Sequence, residues 1–332
     1  MYIVTGAAGM IGSSFVWKLN SEGISDIILV DKLRTENKWL NIRKREYSDW
    51  IDKDNLFAWL EQKENSKKIK GIVHMGACSA TTEQNGDFLM ENNYEYSKKL
   101  WNISTTLSIP YIYASSASTY GDGSLGYNDE YSSEELQKLS PLNKYGYSKK
   151  IFDDWALKQY NTPKQWAGLK FFNVYGPQEY HKGRMASMVF HSFNQYEETG
   201  VVKLFKSHKE GYNDGGQLRD FIYVKDAVNI IYFLLINEIK SGIYNVGTGK
   251  ARSFYDLSMA TVKAIVGDDN LTSKKVIEYI PMPEDLQGKY QYFTQASMTK
   301  LQKIGYEDKF YTLEEGVKDY VTNYLLKEDN YL

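Results

Sequence analysis

The sequence predicts an α/β fold, a doubly wound parallel sheet joined to a smaller, mostly C-terminal α/β lobe. Three observations carry this expectation. Short apolar runs within residues 26–31, 71–75 and 110–114 have the character of strands covered on both faces, as parallel sheets require. Helical spacing fills the intervals, around residues 56–62 and 88–107. A turn with glycines at 6, 9 and 12 separates a first apolar run from a helical pattern, so the chain opens as strand, turn and helix.

The first strand is expected from Tyr2 towards Gly6. Met10, Ile11, Phe15, Val16 and Leu19 follow at the spacing of one helix face. Another strand is expected over 166–175, after which Pro177, Pro281 and Pro283 punctuate a looser pattern. Residues 219–224, with a helix from Asp226, and residues 242–246 return to buried-strand character and are expected to rejoin the first lobe. The expected division is therefore 1–173 with about 219–248 in one unit, and about 174–218 with 249–332 in the other. There is no internal repeat or low-complexity linker.

Composition narrows the function classes. Of 332 residues, 40 are Lys or Arg and 42 are Asp or Glu, so a broad electrostatic footprint for nucleic acid is absent and any phosphate is bound locally. The single cysteine, Cys78, rules out an intramolecular disulfide framework and a zinc cluster, and matches a reducing compartment. Met1 leads directly into an apolar strand, and no window approaches the roughly 20 apolar residues of a membrane span. A cytoplasmic protein without a membrane partner is expected. The 28 tyrosines are read first as amphipathic rings at lobe and subunit contacts.

Gly6, Gly9 and Gly12 permit a tight turn, close approach of a pyrophosphate and close helix packing. Asp31 ends the next apolar run, where a carboxylate can accept from a ribose hydroxyl; the pair implies a Rossmann-type dinucleotide site. Asp31 alone favours NAD, whereas Lys32, Arg34 and Lys38 offer charge-assisted bonds to a 2′-phosphate. The expected cofactor is NADP, with NAD left open.

Tyr145 and Lys149, four apart, share a helix face. The lysine is expected to lower the phenol's pKa and hold a nicotinamide ribose, leaving the phenolate to exchange a proton with a substrate hydroxyl. Ser116, at a strand end, is placed to donate to the same oxygen.

The glycine loop, Ser116, Tyr145 and Lys149 together resemble the short-chain dehydrogenase/reductases, and the long C-terminal half resembles their extended branch, which acts on nucleotide sugars. Residues 76–83, 92–97, 172–177, 181–187 and 290–296 are similar to the corresponding segments of the ADP-heptose 6-epimerases, almost end to end. That resemblance implies an NADP-dependent, redox-neutral inversion of ADP-D-glycero-D-manno-heptose at C6″ through a 6″-keto sugar, in heptose supply for lipopolysaccharide core. Tyr145 and Lys182 would serve opposite faces of the carbinol.

The resemblance also implies cofactor contacts from Met10, Ile11, Asp31, Lys32, Lys38, Lys53, Gly76, Ala77, Cys78, Ser79, Asn92, Lys149, Val174 and Lys182. It implies a substrate site lined by Asn173, Arg184, His191, Phe205, Lys206, Ser207, His208, Arg219 and Tyr290, and a homo-oligomer such as a pentamer. Arg219 suits the ADP diphosphate, or else an ion pair with Asp220 or Asp226. Three departures stand out: Arg184 replaces a small hydroxyl residue, the segment 206–218 is longer than usual, and Ala7-Ala8 fills the first loop.

A UDP-hexose 4-epimerase is the nearest enzymatic alternative, since it would use the same trio and a transient ketone. A 4,6-dehydratase would want acids beside Ser116, where this chain has Ala117 and Ser118. A 3,5-epimerase would want a working Cys and His pair, but Cys78 falls in the loop expected to face the cofactor. A non-catalytic dinucleotide sensor would keep the glycine loop without needing Ser116, Tyr145 and Lys149 together.

Overall fold

The computed structural model describes residues 1–130, 132–268, 270–272, 276–283 and 291–332. Its main sheet has seven parallel strands: β1 (Tyr2–Thr5), β2 (Ile27–Asp31), β3 (Asp49–Asp52), β4 (Gly71–His74), β5 (Tyr111–Ser116), β6 (Trp166–Phe171) and β10 (Gly242–Val246). Their order is β10-β6-β5-β4-β1-β2-β3. The chain winds outwards from β1 to β3, then restarts beside β1 at β4 and winds the other way. This is the doubly wound arrangement expected, with its topological switch between β1 and β4, where the C-terminal strand ends open a crevice. Ile3, Val4, Leu29, Val30, Ile72, Val73, Ile112 and Leu169 are almost fully buried, as a sheet covered on both faces demands.

One expectation needs correction, and one is made more specific. The run 166–175 is two strands: β6 stays in the main sheet, while β7 (Asn173–Tyr175) leaves it after Phe172, whose amide donates to the Val246 carbonyl. Residues 218–223 do not rejoin the main sheet. They form β9 (Leu218–Tyr223), parallel to β7 and antiparallel to β11 (Ala251–Ser253), because β10 already occupies the edge of β6. The short edge strand β3 and the parallel pair β8 (Val202–Phe205) with β12 (Ile277–Ile280) were too brief to read as periodic runs.

Many tyrosines are core rather than contact residues. Tyr111, Tyr113, Tyr120, Tyr175, Tyr223, Tyr244 and Tyr320 are fully buried. Three of their hydroxyls bond to neighbouring side chains: Tyr113 donates to Asp153 at 2.9 Å, Tyr120 to Asn245 at 2.6 Å and Tyr223 to Asp319 at 2.7 Å. The helical region expected over 88–107 is interrupted by a π-helical stretch, Met90–Glu95, between Gly86–Leu89 and Tyr96–Thr106. Such insertions re-aim side chains at functional sites, and this one carries Asn92 and Asn93.

Candidate active site

The glycine turn lies at the switch point. Gly6 has φ +65°, and a Cβ there would come within 2.6 Å of the Gly76 amide, so glycine is needed both for the conformation and for the approach of the neighbouring loop. A Cβ on Gly12 would meet the Gly6 carbonyl at 2.1 Å. Gly9 caps the helix Met10–Ser21 with no side-chain acceptor, leaving the first-turn amides available to an anion. Ala77, Cys78 and Ser79 follow Gly76 on the facing loop. Asn93, fully buried, fixes that loop by accepting from the Cys78 amide at 2.8 Å and donating to the Cys78 carbonyl at 3.0 Å. It also donates to Ser148 at 3.0 Å, although nothing in its sequence context singled it out.

At the end of β2, Asp31 accepts from the Ala8 amide at 2.9 Å, the Lys32 amide at 2.7 Å and the Lys38 ammonium at 2.8 Å. The carboxylate and cation that pointed to opposite cofactors are thus partners. Beside them, Lys32, Arg34, Lys53, Asp54, Phe57, Asn92 and Tyr96 line a pocket of about 460 Å³. Lys32 pairs with Asp54, and Lys53 donates to Asn92 at 2.6 Å. Arg34 holds a left-handed φ of +54°. Phe57 and Tyr96 were not anticipated; as single aromatic residues in helical patterns they look like core.

These features suit a nicotinamide dinucleotide: a glycine cradle whose Cβ atoms would clash, a helix start without a side-chain cap, and a carboxylate with a cation at the ribose end of β2. When bound, such a cofactor supplies an acceptor and donor of hydride.

Ser116 ends β5, and Tyr145 and Lys149 lie on the helix Lys144–Leu157, which Asn143 caps by accepting from the Gly146 amide at 2.8 Å. All three side chains are buried. Burial raises the Tyr145 phenol above its ordinary value, and the hydrogen bond with Ser116 counters part of that rise. Lys149 is pushed down to about 8, mainly by desolvation, with Asp153 opposing. In the protein alone the dominant influence on both groups is removal from water, which raises the phenol and lowers the amine.

A second cleft, of about 360 Å³, is lined by Asn173, Val174, Lys182, His191, Phe221 and Phe254 among others. Lys182 sits in a tight helical turn, Tyr180–Met185, kinked at Gly183 with φ +51°. Its ammonium approaches the Met10 sulfur at 3.8 Å, at the start of the first helix. Desolvation lowers its pKa, and Glu179, a buried carboxylate nearby, holds it up. Glu179 in turn accepts from the Ser187 hydroxyl at 2.7 Å, so it shapes the turn from within.

The remaining expected substrate residues are more dispersed. Arg184 is exposed, outside the cleft lining. Phe205 ends β8, and Lys206, Ser207 and His208 follow it as a strap, with the His208 amide donating to the Tyr292 hydroxyl at 2.9 Å. Arg219, on β9, stacks its guanidinium 5.6 Å from the Phe254 ring at the cleft. The neighbouring Asp220 carboxylate takes four bonds, from the Thr248 amide and hydroxyl and the Gly249 and Ala296 amides. Tyr290 lies outside the described residues.

Residues 2–247 match the NAD dependent epimerase/dehydratase family. The chain is 70% identical over its whole length, and that of the relative, to the ADP-L-glycero-D-manno-heptose-6-epimerase of Fusobacterium nucleatum. It is 49% identical, again over the whole of both chains, to that of Nitratidesulfovibrio vulgaris. The crystal structure of the Helicobacter pylori ADP-L-glycero-D-manno-heptose-6-epimerase superposes with a TM-score of 0.77 at 29% identity, covering 97% of this chain and 95% of the other. No helix among the described residues is long and apolar enough to cross a membrane. The glycine cradle at the switch point, the buried serine, tyrosine and lysine beside it, and these end-to-end similarities make the chain a member of the NAD dependent epimerase/dehydratase family.

Proposed function

We propose that this enzyme interconverts ADP-D-glycero-D-manno-heptose and ADP-L-glycero-D-manno-heptose by inverting C6″. The observation that carries the reading is Lys182: an amine with a lowered pKa, in a cleft with Asn173 and His191, and packed against the start of the glycine-loop helix. Tyr145 accepts or returns the proton of the C6″ hydroxyl on one face, and Ser116 orients the same oxygen. Lys149 holds the nicotinamide ribose. Lys182 performs the matching proton transfer on the other face of the 6″-keto sugar, so the sugar need only turn between transfers.

NADP is the favoured form, because Lys38 offers a cation at Asp31 and Lys32 and Arg34 line the adjoining pocket. Met10, Ile11, Lys53, Gly76, Ala77, Cys78, Ser79, Asn92 and Val174 complete the cofactor contacts. Arg219 takes the substrate's diphosphate, with Asn173, His191 and the strap 205–208 along the ADP-sugar. The segments 1–173 and about 219–248 hold the cofactor, except that β9 contributes to the smaller sheet; the remainder holds the sugar nucleotide. The enzyme works in the cytoplasm as a homo-oligomer, supplying heptose for lipopolysaccharide core.

Incubation of the purified protein and NADP with ADP-D-glycero-D-manno-heptose, followed by chromatographic resolution of the C6″ epimers, tests the reading. Approach to one epimer ratio from either side is expected. Failure to interconvert them, with turnover of a UDP-hexose at C4, would favour the 4-epimerase alternative.

A further inference from the structure

The turn bearing Lys182 is joined to the cofactor loop by two buried amides. Asn41 is 2% exposed and Gln178 is fully buried. The Asn41 side chain donates to the Gln178 carbonyl at 3.0 Å, and the Gln178 side chain donates back to the Asn41 carbonyl at 3.0 Å. From the same nitrogen Asn41 also reaches the Ala8 carbonyl at 2.8 Å, within the glycine loop, and lies 3.3 Å from His181 Nδ1, next to Lys182.

Gln178 does this at a conformational cost. Its φ of +77° is one that residues with a Cβ seldom adopt, and its buried Oε1 has no hydrogen-bond partner among the described residues. A glycine would relieve both, so the surrounding contacts must hold the amide in place. Asn41 ends the short helix Asn37–Asn41 that also carries Lys38, and this helix packs directly against the Tyr180–Met185 turn. Residues 329 and 330 bridge the same two segments again: Arg43 and Lys44 pair with Asp329 at 2.8 and 2.7 Å, and the Tyr180 hydroxyl donates to the Asn330 carbonyl at 2.5 Å.

We propose that Asn41 and Gln178 are positioning residues, a reciprocal amide latch that fixes Lys182 relative to the glycine loop and to the cation at the ribose end of the cofactor. The latch acts through backbone: it sets where the chain enters the 180–185 turn, and so where the Lys182 amine meets Met10. Its catalytic value rests on the proposed acid/base role of Lys182; its geometry does not. A displacement of about 1 Å at such a group can cost on the order of 10²-fold in rate.

The test uses the full chain loaded with NADP, with Asn41→Leu and Gln178→Met as variants and Asn41→Ser in reserve should Asn41→Leu not fold. Two quantities are read: kcat and KM for epimerisation, and the rate at which trinitrobenzenesulfonate labels individual lysines, located by peptide mapping. Each variant is expected to lower kcat on the order of 10²-fold with little change in KM. Labelling of Lys182 should accelerate, while Lys149 and Lys170, buried elsewhere, keep their parent rates. General loosening of the fold would expose all three lysines and overturn the proposal, as would parent-rate labelling of Lys182 in both variants. Lys182→Met is assayed in parallel. If it epimerises at the parent rate, the acid/base assignment falls, while the labelling pattern still decides whether the latch positions that lysine.

Discussion

The Lys170 ammonium lies 3.5 Å from the Asp153 carboxylate, and neither side chain is exposed at all. Asp153 also accepts from Tyr113 at 2.9 Å and Ser115 at 2.7 Å, and Lys170 donates to Thr119 at 2.5 Å. Because Asp153 is one helical turn beyond Lys149, this buried network anchors the helix that carries Tyr145 to β5 and β6.

Removing one partner of such a pair leaves an uncompensated charge in the core, which typically costs about 3–5 kcal/mol, whereas removing both can be nearly neutral. Lys170→Met is therefore expected to lower the urea midpoint sharply, and adding Asp153→Leu should restore part of the loss. A Lys170→Met protein as stable as the parent would show that the pair does not hold this helix.

The main sheet, apart from its short edge strand β3, was legible because its strands are apolar runs with helical spacing between them. The small sheet was not: β7 follows β6 after a single residue, Phe172, so two strands in different sheets read as one. Ser116, Tyr145, Lys149 and Asp31 were legible because their spacing relative to strand ends and helix faces is local. Asn41, Asn93, Gln178 and Glu179 were not, since each acts through contacts made after folding. Asn41 meets Gln178 across 137 positions of sequence.

Tyr145→Phe deletes one oxygen and leaves the ring that fills the buried site. Turnover is expected to fall on the order of 10²–10⁴-fold, with NADP affinity little changed. Calorimetric titration of cofactor alongside epimer analysis checks this. Weakened cofactor binding at an undiminished rate would remove the proton-transfer role.

Lys38→Ala takes away the cation that neutralises Asp31. A 2′-phosphate would then meet an unshielded carboxylate, whereas a 2′-hydroxyl could still donate to it. NADP affinity should drop by roughly 10–100-fold, the worth of a charged hydrogen bond, with NAD affinity changing far less. Equal weakening of both would return the preference to NAD.

Lys149 has a sign that can be checked by pH. Its folded value of about 8 lies below the ordinary 10.5, so between these values the unfolded chain holds a proton that the folded chain has released. Stability attributable to this group therefore rises with pH across that window, and its burial penalty is complete below about pH 8. Lys149→Met should abolish most turnover yet raise stability near pH 7, by at most about 3 kcal/mol, and flatten the slope between about pH 8 and 10.5. Urea unfolding at several pH values measures both effects. A less stable variant would mean that the ammonium contributes more through Asp153 than it loses by burial.

Lys182→Met tests the second face of the reaction. If Tyr145 alone served both faces, either the phenol or the ketone would have to travel between the two hydride transfers; a second amine lets the sugar turn in place. Methionine keeps the length and packing of the side chain next to Met10 but has no proton to give. Arg184, the adjacent cation, cannot substitute as a base because a guanidinium stays protonated. Epimerisation is expected to slow on the order of 10²–10⁴-fold, with NADP and ADP-sugar still bound. Transient absorbance of reduced cofactor should persist with a substrate epimer whose hydroxyl already faces Tyr145, since that half-reaction does not need the amine. The pH profile supplies a further check: burial depresses the Lys182 pKa, so the limb it contributes lies below the usual lysine range in the parent and should vanish in the variant. Near-parent epimerisation with that limb intact would assign the second face to another group.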